Sequence, residues 1–341
     1  MPPGWRIAER EATPESRYLG RRAFVRAAAA LGLVGTVGGC TQYMVGQRPD
    51  GGTLDVGWTG DSDAPPPPPP PTGDTWEMQH AGLYPVARNA TFSVPERPVT
   101  PEDKATTYNN FYEFTSSKTY VKEKVELDKF TTRPWTVVTS GLVETPQVLE
   151  FDELVRKLPL EERLYRFRCV EAWAMTVPWS GFVLSELIKL AKPLSSARYV
   201  RFVTANKPIE MTGIFGCPEC PFPYHEAMRM DEAMNELTFV ATGIYGKALP
   251  RQNGAPLRLV IPWKYGFKGA KSLFRLDFLD KQPATFWPRL SPGEYDFLAN
   301  VDPDVPHPRW SQAREMLIDD GNYVDTMKYN GYGQYVASLY G

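Results

Sequence analysis

Seven consecutive prolines, Pro65–Pro71, limit how this chain can fold more than any other feature. Proline has a fixed φ and no backbone N–H, so the run can enter neither a helix interior nor a sheet ladder. It favours a stiff extended helix with no core of its own. Asp50-Gly51-Gly52 and Asp61-Ser62-Asp63 on its N-terminal side also pack nothing. Residues 40–100 therefore read as a Pro/Gly-rich stalk, and a single folded domain is expected over 101–341.

The segment before the stalk reads as an address. The first 26 residues carry six arginines against three glutamates. Arg21-Arg22-Ala23-Phe24-Val25-Arg26 leads into Ala27–Gly39, an uncharged run of small and apolar residues. That order describes an export signal over 1–39, too short for a stable membrane span. Paired arginines suggest the twin-arginine route, which moves folded proteins; an ordinary N-terminal anchor is the plain alternative. Val37-Gly38-Gly39-Cys40 resembles a lipobox, in which Cys40 would carry lipid and tether the protein. The expected location is the periplasm, with a possible tether through Cys40.

After the stalk the pattern is that of a packed domain. Apolar residues make up 42% of the chain and aromatics 13%, enough for a large core, which excludes wholesale disorder. Net charge is −2, and with the basic leader set aside the remainder is more acidic still. A nucleic-acid binder needs a basic face, so that class is excluded. No run of eighteen apolar residues follows position 40, so no internal membrane span is expected. Ala197–Thr204, Leu257–Ile261 and Leu273–Leu279 read as strands. Helices are expected over Asp152–Leu158 and Val183–Ala191; the second has Val183, Leu184, Leu187, Ile188 and Ala191 on one face. Frequent Pro and Gly between strands argue for α+β with β-rich mixed sheets.

Four cysteines, Cys40, Cys169, Cys217 and Cys220, are too few to build a disulfide scaffold in a chain of 341 residues. On a strand through Leu164–Cys169, Tyr165, Phe167 and Cys169 face one way and Arg166 and Arg168 the other. Flanking arginines and a chain reversal expected at Pro178 favour a thiolate, the form that binds soft metals. Taken alone, a single buried Cys is still more often a small core residue.

Several ordered blocks alter that balance. They are Tyr108–Phe114, Arg168–Trp173, Gly246–Pro250, Gln252–Pro256, Pro262–Gly269 and His307–Ala313. Together they resemble the catalytic subunits of periplasmic protein-methionine-sulfoxide reductases, molybdopterin enzymes of the sulfite-oxidase superfamily, from about residue 100 to Tyr340. The resemblance implies a sulfite-oxidase-type molybdopterin-binding domain and a Mo-molybdopterin cofactor, with Cys169 as the one protein thiolate on the metal. It implies cofactor-holding roles for Asn109, Tyr112, Glu113, Thr204, Asn253 and Arg258. Gly269, Ala270 and Lys271 would contact the phosphate end of the pterin. Without it, Lys264, Lys268 and Lys271 read as a solvated basic loop.

The implied activity is reduction of methionine sulfoxide in oxidised envelope proteins, a side chain whose repair restores a thioether. Asn110 and Glu171 are candidates for the substrate side of the metal, since an amide can hydrogen-bond a sulfoxide oxygen and a carboxyl can relay protons. Their structural alternatives are a turn-capping Asn and a Glu paired with Arg166 or Arg168. An accessible mouth is expected, with Trp173, Trp263 and Trp310 either on its rim or in ordinary core packing. With no haem motif and only His80, His225 and His307 present, electrons are expected from a haem-containing membrane partner. Cys217-Pro218-Glu219-Cys220 departs from the family pattern and reads as a local disulfide bracing a loop, with a redox role as the alternative. The rival functions are a sulfite dehydrogenase or another oxygen-atom transferase on the same fold, and a non-catalytic lipid-anchored binding protein.

Overall fold

The computed structural model describes residues 82–341; the export signal, Cys40 and the proline run lie outside the described residues. Twelve strands are described: β1 (Thr136–Gly141), β2 (Gln147–Glu150), β3 (Glu161–Arg168), β4 (Trp173–Val183), β5 (Tyr199–Thr204), β6 (His225–Arg229), β7 (Phe239–Ile244), β8 (Lys247–Ala248), β9 (Arg258–Val260), β10 (Leu273–Leu279), β11 (Arg314–Leu317) and β12 (Tyr323–Asp325). They form two sheets. One has the order β2-β1-β10-β5-β6; the other runs β12-β11-β4-β7-β8, with β3 added on β4 and β9 on β7. Pairing is parallel between β1 and β10 and between β4 and β11, and antiparallel elsewhere. Helices among the described residues are short: α1 (Glu102–Thr107), α2 (Val121–Leu127), α3 (Phe151–Lys157), α4 (Leu184–Ala191), α5 (Met230–Ala233), α6 (Phe286–Leu290) and α7 (Gly333–Val336). None is long and apolar enough to cross a membrane. The mixed sheets are those of the expected α+β class.

Alternation holds at the start of β1 and β5, whereas a register shift between Leu273 and Arg275 breaks it in β10. In β10, Leu273, Leu276 and Phe278 are fully buried, and the strand is central, between β1 and β5. The β4 strand is buried along nearly its whole 11 residues because β3, β7 and β11 enclose it. Helix α4 buries Leu184, Leu187, Ile188 and Ala191, the expected stripe, while Val183 ends β4.

Two expectations need correction. Pro178 does not reverse the chain; it lies inside β4, opposite Leu164. The ladder tolerates it because Cys169 N–H bonds the Trp173 carbonyl at the turn. Counting back in alternation from that pair makes Leu164–Pro178 a non-hydrogen-bonded pair, so no N–H is demanded of Pro178 there. The segment 82–100, read as the end of the stalk, packs on the domain instead. Phe92 and Val94 are buried, Asn89 N–H bonds the Glu162 carbonyl (2.8 Å) and Thr100 N–H bonds the Thr176 carbonyl (2.9 Å). Two apolar side chains outweigh the polar composition around them.

Candidate active site

The β3–β4 hairpin positions Cys169. Its turn closes through Cys169 N–H on the Trp173 carbonyl (2.9 Å) and Ala172 N–H on the Cys169 carbonyl (3.1 Å). Ala172 takes φ 64°, a conformation that costs an L-residue about 1 kcal/mol. Packing from behind holds the turn. Trp310 Nε1 and Gln312 Nε2 both donate to the Val170 carbonyl, at 2.8 and 2.7 Å. Arg168 points away from the cysteine into a buried cluster, bonding Glu315 (2.8 Å) and Gln312 Oε1 (2.8 Å). Arg97 closes on the other oxygen of Glu315. The 307–313 block thus acts as a brace for the Cys169 turn.

A second loop faces the turn. Asn109 N–H donates to the Lys118 carbonyl (3.0 Å), closing a loop that carries Asn109, Asn110, Tyr112 and Glu113. Asn110 Nδ2 donates to Glu171 Oε2 (2.9 Å) and approaches Cys169 Sγ (3.5 Å). Trp173 Nε1 (3.1 Å) and Lys118 Nζ (3.1 Å) reach the same carboxylate oxygen. Glu171 therefore pairs with Lys118. Neither arginine is available to it, because Arg166 is engaged by Glu96 and the Asn330 carbonyl. Burial acts to raise the Glu171 carboxyl, but the donors Asn110, Trp173 and Lys118 outweigh it and hold it below its ordinary value. Cys169 goes the other way: burial, then the Glu171 charge, push its thiol up to about 12. The charge of Arg168 does act to lower the thiol, as expected of a flanking arginine, but burial and Glu171 outweigh it.

Both loops open on one cavity. Of the expected residues, Cys169, Asn110, Glu171, Asn109, Tyr112, Glu113, Arg258 and Lys271 line it. Thr204, Asn253, Gly269 and Ala270 do not. Asn253 stands directly behind the lining, donating to Asn109 Oδ1 (3.0 Å) and accepting Arg258 Nη1 on its carbonyl (3.0 Å). Gly269 and Ala270 are committed to the fold. The Gly269 N–H bonds the Gly266 carbonyl (3.2 Å), and the Ala270 carbonyl takes the Leu259 N–H (2.9 Å). At Gly266, a Cβ would stand 2.3 Å from the Phe167 ring, so only glycine lets this wall close.

The three lysines are not a solvated loop. Lys264 is buried against Glu232 (2.6 Å), and Lys268 against Glu226 (2.8 Å). Lys271 faces the cavity over the Phe111 ring, 4.8 Å from its centroid, and among the described residues its Nζ has no hydrogen-bond partner. Burial, opposed by Glu113 and reinforced by Arg258, pulls it down to about 8. Burial likewise lowers Arg258 to about 10 and raises Glu113 above its ordinary value.

The expected rim is right in part. Trp173 lines the cavity, but Trp263 is wholly buried with Nε1 on Tyr340, and Trp310 stacks on His307 with centroids 3.6 Å apart. Trp287 and Tyr295, tilted with centroids 5.1 Å apart, and Phe267 supply the other aromatic walls. Nothing local in the sequence marks these residues, or Lys118, as part of a site. The Cys217–Cys220 disulfide forms as expected.

The residues present fit a molybdopterin. A phosphate-bearing group would pair with Lys271 and Arg258, and polar groups on a pterin would reach Asn110 Oδ1, a buried atom on the cavity wall that lacks a partner among the described residues. Among the described residues Cys169 is the free thiol. A family model described as an oxidoreductase molybdopterin binding domain matches residues 123–287, a range that includes Cys169, Arg258 and Lys271. Over 256 residues, 74% of this chain and 76% of the relative, the sequence is 49% identical to the protein-methionine-sulfoxide reductase catalytic subunit MsrP of Burkholderia mallei (strain ATCC 23344). Among solved structures, the sulfane dehydrogenase SoxCD from Paracoccus pantotrophus aligns with a TM-score of 0.38 and 20% identity, over 45% of this chain and 40% of that one. The extent and identity of the first of these two alignments place the chain in the family of protein-methionine-sulfoxide reductase catalytic subunits.

Proposed function

We propose that this protein reduces methionine sulfoxide in oxidised proteins to methionine, using a Mo-molybdopterin cofactor held through Cys169. The observation that carries the reading is the free buried thiol of Cys169 on the wall of a cavity that also presents two cations, the half-buried Lys271 and the buried Arg258. When bound, the molybdenum–pterin group supplies two-electron oxygen-atom transfer. The chain supplies the rest. Lys271 and Arg258 hold the anionic end of the cofactor; Asn109, Tyr112 and Glu113 hold its flank, and Asn253 supports Asn109 from behind. The amide of Asn110 sits between Cys169 and Glu171, where it can donate to a sulfoxide oxygen. Glu171, held ionised, keeps Asn110 in place and accepts rather than donates. Lys118 and Glu171 keep side-chain exposures of 26% and 27%, so the cavity meets solvent on their side, as a substrate carried on another protein requires.

A sulfite dehydrogenase would gather cations around the metal for a dianionic substrate. Arg166 and Arg168 turn away into buried pairs, which favours the sulfoxide. Export by the twin-arginine route, the periplasmic location, lipidation of Cys40 and supply of electrons by a haem-containing membrane partner belong to the same proposal. A tether at the end of a stalk would raise encounters with such a partner.

The test is metal and pterin analysis of protein matured in molybdenum-competent cells, followed by assays of oxidised-protein reduction and sulfite oxidation. One molybdenum per chain with sulfoxide reduction is expected. Folded protein without molybdenum would leave the non-catalytic binding role, and sulfite oxidation alone would move the assignment to the dehydrogenase.

A further inference from the structure

We propose that Lys118 is a positioning residue: it fixes the Glu171 carboxylate, and through it the Asn110 amide, beside Cys169. The inference rests on the sulfoxide-reductase reading and adds a residue to it. Lys118 occupies both ends of the arrangement. Its backbone carbonyl accepts the Asn109 N–H (3.0 Å) and so closes the loop that presents Asn110. Its side chain crosses to the other loop and meets Glu171 Oε2 at 3.1 Å. That oxygen also accepts Asn110 Nδ2 (2.9 Å) and Trp173 Nε1 (3.1 Å). Three donors on one oxygen leave Glu171 a single orientation, and the Glu171 N–H lies 3.5 Å from Cys169 Sγ. A carboxylate without the ammonium has no charge partner on this side, because Arg166 and Arg168 are engaged elsewhere. It would then swing toward solvent and release Asn110 from the position it needs to meet an incoming oxygen.

The test uses full-length, molybdenum-loaded protein with Lys118→Met, Lys118→Arg, Glu171→Gln and the Lys118→Met/Glu171→Gln double variant. Rates are read on an oxidised protein and on a small dialkyl sulfoxide, with molybdenum content and the molybdenum electron paramagnetic resonance spectrum alongside. For Lys118→Met, a fall in kcat of about tenfold is expected on both substrates, since a charge-assisted hydrogen bond is lost. KM should change little, molybdenum content should not change, and the resonance should shift because donors next to the Cys169 sulfur move. Lys118→Arg should restore most of the rate. In the Glu171→Gln background, Lys118→Met should add nothing, because a residue acting through Glu171 has no effect once that carboxylate is gone. Wild-type kcat and spectrum in Lys118→Met would overturn the proposal. So would loss of molybdenum, which would make Lys118 a cofactor anchor, or additive effects in the double variant. Wild-type protein that reduces no sulfoxide would instead overturn the functional reading, which separates the two failures.

Discussion

Glu315→Gln tests the claim that a buried charge cluster behind the Cys169 turn holds the site in place. Glu315 is completely buried between Arg97, 2.5 Å from one oxygen, and Arg168, 2.8 Å from the other. The substitution keeps the volume and removes the charge, leaving two buried guanidinium groups facing a neutral amide. Removing one partner from a buried pair costs about 3–5 kcal/mol. Arg168 keeps Gln312 Oε1 (2.8 Å) and Thr326 Oγ1 (3.4 Å), so the lower end, about 3 kcal/mol, is expected. In a domain of this size each kcal/mol moves Tm by roughly 2–4 °C, giving a fall of about 6–12 °C. Thermal and urea unfolding followed by circular dichroism measure it. Turnover should fall with it at temperatures where the variant is folded, because Met316 N–H bonds the Ala172 carbonyl (2.9 Å) and transmits the disturbance to the turn. A Tm within about 2 °C of wild type would refute the reasoning. Replacing Arg168 and Glu315 together with Met should recover part of the loss, since an apolar substitute for a buried pair is often neutral.

Cys169→Ala should leave a folded protein, within about 1 kcal/mol of wild-type stability, and abolish sulfoxide reduction; turnover by the variant would remove the thiol from the mechanism. Lys271, at about 8 in a buried setting, is charged at pH 7 and neutral at pH 9. Cofactor-free protein should therefore bind sulfate, whose charge is constant over this range, about tenfold more weakly at pH 9, read by tryptophan fluorescence; Lys271→Met should bind weakly at both, and pH-independent binding by wild type would contradict the assignment. Replacing Cys217 and Cys220 with Ser opens a loop with a sequence separation of only 3. It should cost roughly 2 kcal/mol in denaturant titrations and leave turnover unchanged; a collapse of turnover at full folding would point to the redox role instead.

The parts of this fold legible in the sequence are those that local spacing determines. The buried stripe of α4 follows from side-chain period alone, and the Cys217–Cys220 disulfide is the favoured reading of a CxxC spacing. What failed depends on partners distant in the chain. Pro178 signals a turn locally, yet its place opposite Leu164 asks for no N–H, so the strand runs on. Lys264 and Lys268 look like a wet basic loop until Glu232 and Glu226 arrive from another part of the chain. Of the residues that the resemblance implied, Asn109, Tyr112, Glu113, Cys169, Arg258 and Lys271 line one cavity. The resemblance could not convey that Gly269 and Ala270 spend their backbone groups inside the fold, or that Lys118 crosses between loops.

The distribution of charge in the cavity constrains what fills it. Elsewhere in the interior, cations come with carboxylates within hydrogen-bond distance: Lys264 with Glu232, Lys268 with Glu226, Arg168 with Glu315. Lys271 and Arg258 break that pattern. Arg258 bonds only carbonyls, of Asn253 and Leu259, and the nearby carboxyl, Glu113, is itself raised by burial toward its neutral form. A protein rarely keeps a buried cation such as Arg258, with the half-buried Lys271 beside it, so poorly compensated, because burying a charge costs several kcal/mol. An anion of matching size removes that cost, and the charge then stabilises the complex rather than the empty fold. Lys271, Arg258 and Cys169 line one cavity, so an anionic cofactor bound there would supply the missing negative charge.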